Sequence, residues 1–216
     1  GTFIWEAKTG ERLHNLEGHS SYVFGLAWSP GDAWLASGSW DGTVILWDPA
    51  TGEPLKTLEK TWPVTSLAWS PEGTVLAAGT DAGEVVVWDV EEAEKLQTLE
   101  GHGSRVTTVE FSPDGAWLAS GSFDSHAILW DVASGSRMQT LAGPEGWVPE
   151  LAWSPGGETL FSGSQDNTVV AWDVAEGKPL RTLQGYTSDV SSLAWSPDGS
   201  RLAWGSFDGV VATWDP

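Results

Sequence analysis

The chain has 216 residues, with 30 acidic and 10 basic side chains, and its formal charge of −20 sets it against phosphate backbones and anionic lipid. Cysteine is absent, which excludes disulfides, thiolate metal sites and a cysteine nucleophile. No apolar run approaches a membrane span and the N-terminus lacks a basic-then-apolar leader, so a soluble, cytoplasmic chain is expected.

Gly1–Trp5 is β-prone, and Arg12–Leu16 is a second short strand. The first complete unit then follows: Tyr22–Trp28 (strand a), the turn SPGD, Trp34–Ser39 (b), the turn around Asp41-Gly42, Thr43–Trp47 (c), the turn PATGE and Pro54–Leu58 (d). The segment LASGSWDGTVILWD returns as LASGSFDSHAILWD at Leu118–Asp131 and LFSGSQDNTVVAWD at Leu160–Asp173. Weaker copies stand at Leu76–Asp89 and Leu202–Asp215. Trp5, Trp47, Trp88, Trp130, Trp172 and Trp214 are spaced by 42, 41, 42, 42 and 42 residues, a period typical of four-stranded propeller blades. Ser-Pro turns follow strand a in all five periods, at Ser29, Ser70, Ser112, Ser154 and Ser196. No segment has a sustained helical period, so the chain is all-β with short connections.

Gly-His, then LAWSPxGxxLASGSxDGTVxLWD, then TGxxLxTLxGH resembles the tryptophan–aspartate (WD) repeat family over essentially the whole chain. The LAWSPDG and GTVxLWD wording is similar to bacterial consensus arrays. The resemblance implies one β-propeller domain spanning 1–216, with repeats 18–59, 60–100, 101–142, 143–184 and 185–216, and with 1–17 supplying strands c and d of a preceding repeat. Strand a would be innermost, strand d outermost. It also implies a protein-interaction scaffold without catalysis. From the residues themselves, a lone sheet with large apolar side chains on both faces cannot bury them, so strand a (Val23, Leu26, Trp28) is expected to pack on both sides.

His19, Ser37 and Asp41 imitate a Ser-His-Asp triad, and His102, Ser120 and Asp124 repeat it, which would suit a hydrolase. The resemblance implies instead two structural tetrads, Trp47–Ser37–His19–Asp41 and Trp130–Ser120–His102–Asp124. Elsewhere the pattern departs: Pro144 and Tyr186 stand at the His position, Ala78 and Ala82 replace Ser and Asp in the second period, and Trp204 replaces Ser in the last. Weaker internal hydrogen bonding is expected in the second and last blades. His14 and His126 complete the histidines without a metal-ligand spacing, and the Asp/Gly turns lack a calcium-loop pattern. No cofactor or metal is expected.

The resemblance places the start of strand a, and the residue before the turn Asp, at the narrow mouth of the channel. Tyr22, Phe24, Trp40, Arg105, Phe123, Trp147, Gln165 and Phe207 are therefore candidate partner contacts, with Trp62 in the loop beside them. Exposed aromatics are good anchors for peptide side chains. Arg105 could hold a carboxylate or phosphate, although a solvated arginine is the plainer expectation. The second period is ambiguous, its Asp being displaced to Asp81. The expected partner is a protein or peptide, with a basic one suited to the charge. The alternative is a purely structural array with no ligand of its own. Strands number five each of a, b and d but six of c, 21 in all. That count suggests part of a larger ring, completed by further sequence or by a second copy. A closed five-bladed ring, with Arg12–Leu16 joining the last sheet, is the other possibility.

Overall fold

The computed structural model describes residues 1–59, 61–143, 146–184 and 188–215; Pro144 and Tyr186 lie outside the described residues. Among the described residues there are 21 strands and no helix, hence none long and apolar enough to cross a membrane. β1 (Thr2–Trp5) and β2 (Arg12–Leu16) form a two-stranded sheet. β3 (Val23–Trp28), β4 (Leu35–Ser39), β5 (Val44–Trp47) and β6 (Pro54–Leu58) form the first complete blade. The second is β7 (Val64–Trp69), β8 (Val75–Thr80), β9 (Glu84–Asp89) and β10 (Glu94–Glu100). The third is β11 (Val106–Phe111), β12 (Trp117–Ser122), β13 (His126–Asp131) and β14 (Arg137–Ala142). The fourth is β15 (Glu150–Trp153), β16 (Thr159–Gly163), β17 (Val169–Asp173) and β18 (Lys178–Leu183). β19 (Val190–Trp195), β20 (Leu202–Ser206) and β21 (Val211–Trp214) make a last sheet of three. Every sheet is an antiparallel meander in which sequence neighbours pair. In the first blade, strands a, b and c each start one residue later than the sequence pattern suggests.

That residue belongs to the turns. Trp34 donates its N–H to the Ser29 hydroxyl at 2.9 Å while Ser29 donates its own N–H to Trp34 O, closing the Ser-Pro turn with a side chain. The same pair of bonds recurs at Ser70/Val75, Ser112/Trp117, Ser154/Thr159 and Ser196/Arg201. In the b–c turn Asp41 accepts the Thr43 N–H at 2.9 Å. The residue after the turn Asp, or after Ala82 in the second blade, has positive φ throughout: Gly42, Gly83, Ser125, Asn167 and Gly209.

Blades pack face to face, and the core lies in the seams. Val64, Trp69, Leu76 and Val86 of the second blade bury against Ala36, Val44 and Leu46 of the first. Val106, Val109 and Phe111 of the third blade cover Ala77, Val85 and Val87 of the second in the same way. Two kinds of polar contact stitch seams between neighbouring sheets. Near the axis, the Trp69 indole donates to Ala27 O at 3.0 Å and the Trp153 indole to Glu110 O at 3.1 Å, each reaching the preceding strand a. At the rim, strand d bonds carbonyls in the next c–d turn: His14 to Ala50, Lys56 to Val90, Gln97 to Val132 and Gln139 to Val174.

The ring is not closed. Arg12–Leu16 pairs with Thr2–Trp5 rather than with β21, so the five-bladed closure is not formed. Ile4 and Leu16 pack on Leu35, Ile45 and Trp47, which gives the first strand a place beside the first blade. The expectation that strand a packs on both faces fails there: Leu26 and Trp28 are 56% and 49% exposed. The adjoining sheet has only β1 and β2, the c and d positions, and no inner strands to cover them. Their counterparts Leu151 and Trp153 are 3% and 4% exposed.

Trp47, Trp130 and Trp172 each donate to the serine on the neighbouring strand b, at 2.7, 2.8 and 2.9 Å. Trp88 faces Ala78 instead, and its buried indole N–H has no acceptor among the described residues. Ala78→Ser should supply the missing hydroxyl and raise stability by about 0.5–1.5 kcal/mol, the net worth of one such bond. Chemical denaturation checks this, with Ser120→Ala expected to lower stability by about 1–3 kcal/mol.

Candidate interaction surface

The tetrads come first because they fix the loops that carry the surface. In the first blade the Trp47 indole donates to Ser37 Oγ, Ser37 lies 2.7 Å from His19 Nε2, and His19 Nδ1 is 3.2 Å from Asp41 Oδ2. In the third, Trp130, Ser120, His102 and Asp124 form the same chain with steps of 2.8, 2.8 and 3.0 Å. Each Ser oxygen accepts the indole, so its O–H donates to the imidazole, whose other N–H donates to Asp. The proton arrangement is that of a catalytic triad. Both hydroxyls are nonetheless fully buried, with an indole where a substrate would have to approach. Burial alone would raise the Asp41 carboxyl; hydrogen bonds from Thr43 and Ser20, with the charge of His19, outweigh it and hold Asp41 well below the usual range. Burial pushes His102 down, against the pull of Asp124.

The two sets of mouth positions are joined by one repeated backbone bond. Trp40, Asp81, Phe123, Gln165 and Phe207 donate their N–H groups to the carbonyls of Tyr22, Pro63, Arg105, Trp147 and Asp189, at 2.8–3.1 Å. Asp81 thus takes the place of Trp40 and Phe123 in the second blade, which settles the ambiguity of that repeat.

Arg105 is not a solvated arginine. Its guanidinium carbon lies 5.5 Å from the Phe24 ring centre, 5.3 Å from Trp40 and 5.7 Å from Phe123, and its Nε is 3.7 Å from Asp81. Phe24 and Trp40 lean together at 5.2 Å, Tyr22 meets Phe24 edge-on, and Phe123 stacks on Trp147 at 4.1 Å with 18° between planes. The desolvated guanidinium among rings explains the arrangement. Gln165 is half-buried beside Trp147. Phe207 is largely exposed, with no ring contact among the described residues, and Trp62 lines a separate depression with Glu84, Val86 and Lys95. The structure therefore brings Tyr22, Phe24, Trp40, Arg105, Phe123 and Trp147 together, and leaves Trp62 and Phe207 apart from them.

Residues 63–216 match the family model described as the IFT122 first beta-propeller, and residues 10–48 match the WD domain, G-beta repeat. The chain belongs to the WD-repeat β-propeller family. WD-repeat proteins are typically protein-interaction or assembly scaffolds. Over 46 residues this WD-repeat chain is 52% identical to periodic tryptophan protein 2 of Arabidopsis thaliana, covering 21% of the chain and 5% of that protein. Over 41 residues it is 56% identical to striatin-4 of Homo sapiens, covering 19% and 5%. Over 54 residues it is 43% identical to eukaryotic translation initiation factor 3 subunit I of Neurospora crassa, covering 25% and 16%. The chain spans only a small part of each relative's length, about one repeat of the WD pattern.

One pair escaped the sequence reading. Glu110 stands where the other strands a carry Ala27, Ala68, Ala152 and Ala194, a departure visible in the repeat alignment. It accepts the Trp153 N–H at 3.1 Å, and burial, reinforced by the charge of Glu150, pushes its carboxyl up to about 8. Burial also raises Glu150, against hydrogen bonds from Thr108 and Leu151. An unfolded Glu ionises near 4.5, so the unfolded chain releases this proton first. The Glu110 contribution to stability is therefore complete below pH 4.5 and is lost as the pH rises through 8. Glu110→Gln should flatten that decline; denaturant midpoints measured across the window, for both proteins, check it.

Proposed function

We propose that this chain is a non-catalytic interaction module that binds a protein or peptide on the aromatic mouth of its channel. One observation carries the reading: a continuous series of rings and one guanidinium, drawn from the first, third and fourth blades, lies part-exposed on a single face. Apolar area left in water is costly, and a clustered aromatic patch of this kind suits a partner that covers it. The burial of Ser37 and Ser120 supports the non-catalytic part, since neither hydroxyl reaches solvent. An intracellular setting suits a chain without cysteine, which needs no oxidising compartment.

The assembly reading has its own support. Leu26 and Trp28 leave one face of the first blade uncovered, and Trp28 lines a depression there with Ile4, Leu13 and Pro49. One relative carries the word subunit in its name. Affinity capture separates the two readings. Trp40→Ala, Phe123→Ala and Phe207→Ala together should abolish recovery of a mouth-binding partner while thermal unfolding stays cooperative. Undiminished recovery by the folded triple variant would hand the function to the uncovered face.

A further inference from the structure

The reading of the mouth as a protein-binding face, on which this step rests, leaves the partner's chemistry open. We propose that the exposed face of Trp147 is the docking point for an arginine side chain of a basic partner segment. The ring series runs from Phe24 and Trp40 through Arg105 to Phe123 and ends on Trp147. Phe123 covers one side of the Trp147 indole, and Trp147 is still 44% exposed. The chain's own Arg105 shows what this face accommodates. It is seated by three rings and one loosely placed carboxylate, with no hydrogen bond of its side chain to any described group.

Trp147 shares part of that setting, with Phe123 as its ring neighbour among the described residues. An indole offers the strongest cation–π surface of the aromatic side chains, and a planar guanidinium stacks on it with a weaker hydration shell than an ammonium. The mouth segments that follow add negative charge: Asp166, after Gln165, holds Thr168 within its own turn through one carboxylate oxygen, and Asp189 accepts the Phe207 N–H through its backbone carbonyl. Arg105 is already matched by Asp81, so the charge left at the mouth is negative, in keeping with −20 for the whole chain. An acidic segment would approach against that field; a basic one is drawn along it.

The test titrates the intact chain with three short synthetic peptides of equal length, rich in arginine, lysine or glutamate, and follows the indole N–H resonances. The arginine peptide should bind, the lysine peptide more weakly and the glutamate peptide not at all, with affinity falling as salt rises. Trp147→Ala should weaken arginine-peptide binding about 5- to 20-fold. Trp147→Leu, which keeps an apolar cover on Phe123 without a π face, makes the same comparison if the alanine variant does not fold. Equal binding by wild type and Trp147 variants would reduce the effect to diffuse charge and overturn the proposal. Binding of the glutamate peptide that is lost in Arg105→Gln would overturn it in favour of carboxylate recognition. Trp40→Ala is run in parallel. If it weakens binding and the Trp147 variants do not, only the arginine site falls; if no mouth variant changes binding of any peptide, the mouth reading falls with it.

Discussion

Each sheet of this chain has two apolar faces, and only another sheet can cover them. That constraint decides most of what the structure shows. Where a blade lies between two others, its strand-c tryptophan and the aliphatic residues around it are removed from water almost completely, as Trp88, Leu76 and Val85 are. Burial of side chains of this size is worth roughly 1.5–3 kcal/mol each. Where the neighbour lacks its inner strands, the same sequence pattern leaves Leu26 and Trp28 in solvent. Packing between repeats, more than any property of one repeat, sets local burial.

The tetrads rank below this packing. The second blade has neither the serine nor the turn aspartate, and its indole N–H has no acceptor among the described residues, yet it keeps four strands and a packed apolar seam. A net hydrogen bond contributes about 1 kcal/mol, against several buried rings and branched chains per seam. The lock therefore acts on geometry. By accepting the Thr43 and Ser20 N–H groups, Asp41 sets the b–c turn against the loop that enters strand a. Asp124 does the same with His126 and Gly103. The mouth positions hang from those two segments.

The strands were legible because their signals are local: apolar runs and Ser-Pro corners in all five periods, and a turn aspartate between strands b and c in four of them. The number 21 followed from marking strands, and the described residues form that many. Bonds between repeats were not legible. Ser29 reads as a partner of Pro30, whereas its hydroxyl closes the turn on Trp34. Arg105 reads as a solvent-facing charge because its three rings come from positions 24, 40 and 123, which no spacing rule links without the ring geometry. Asp81 looked like a displaced turn residue, and only the backbone bond to Pro63 shows its true place. Glu110 was legible in principle, as one acid in a column of alanines, but a column of small residues is informative only once it is known to flank a seam.

The repeated bond at the mouth separates position from identity. In each blade the backbone N–H before the turn reaches the carbonyl at the start of strand a, whether the residue is Trp40, Asp81, Phe123, Gln165 or Phe207. A main-chain bond makes no demand on the side chain, so the fold accepts an indole, a carboxylate, a benzyl ring or an amide there alike. The fully buried tryptophans of strand c show the opposite behaviour, one residue type repeated because the seam requires its volume. Chemistry at the mouth is thus released from the constraint that governs the rest of the chain. What the sequence does with that freedom is specific. It sets an arginine from the third blade against rings of the first, places its carboxylate on the second and continues the stack onto the fourth, so that four blades contribute to one face while their cores remain nearly interchangeable.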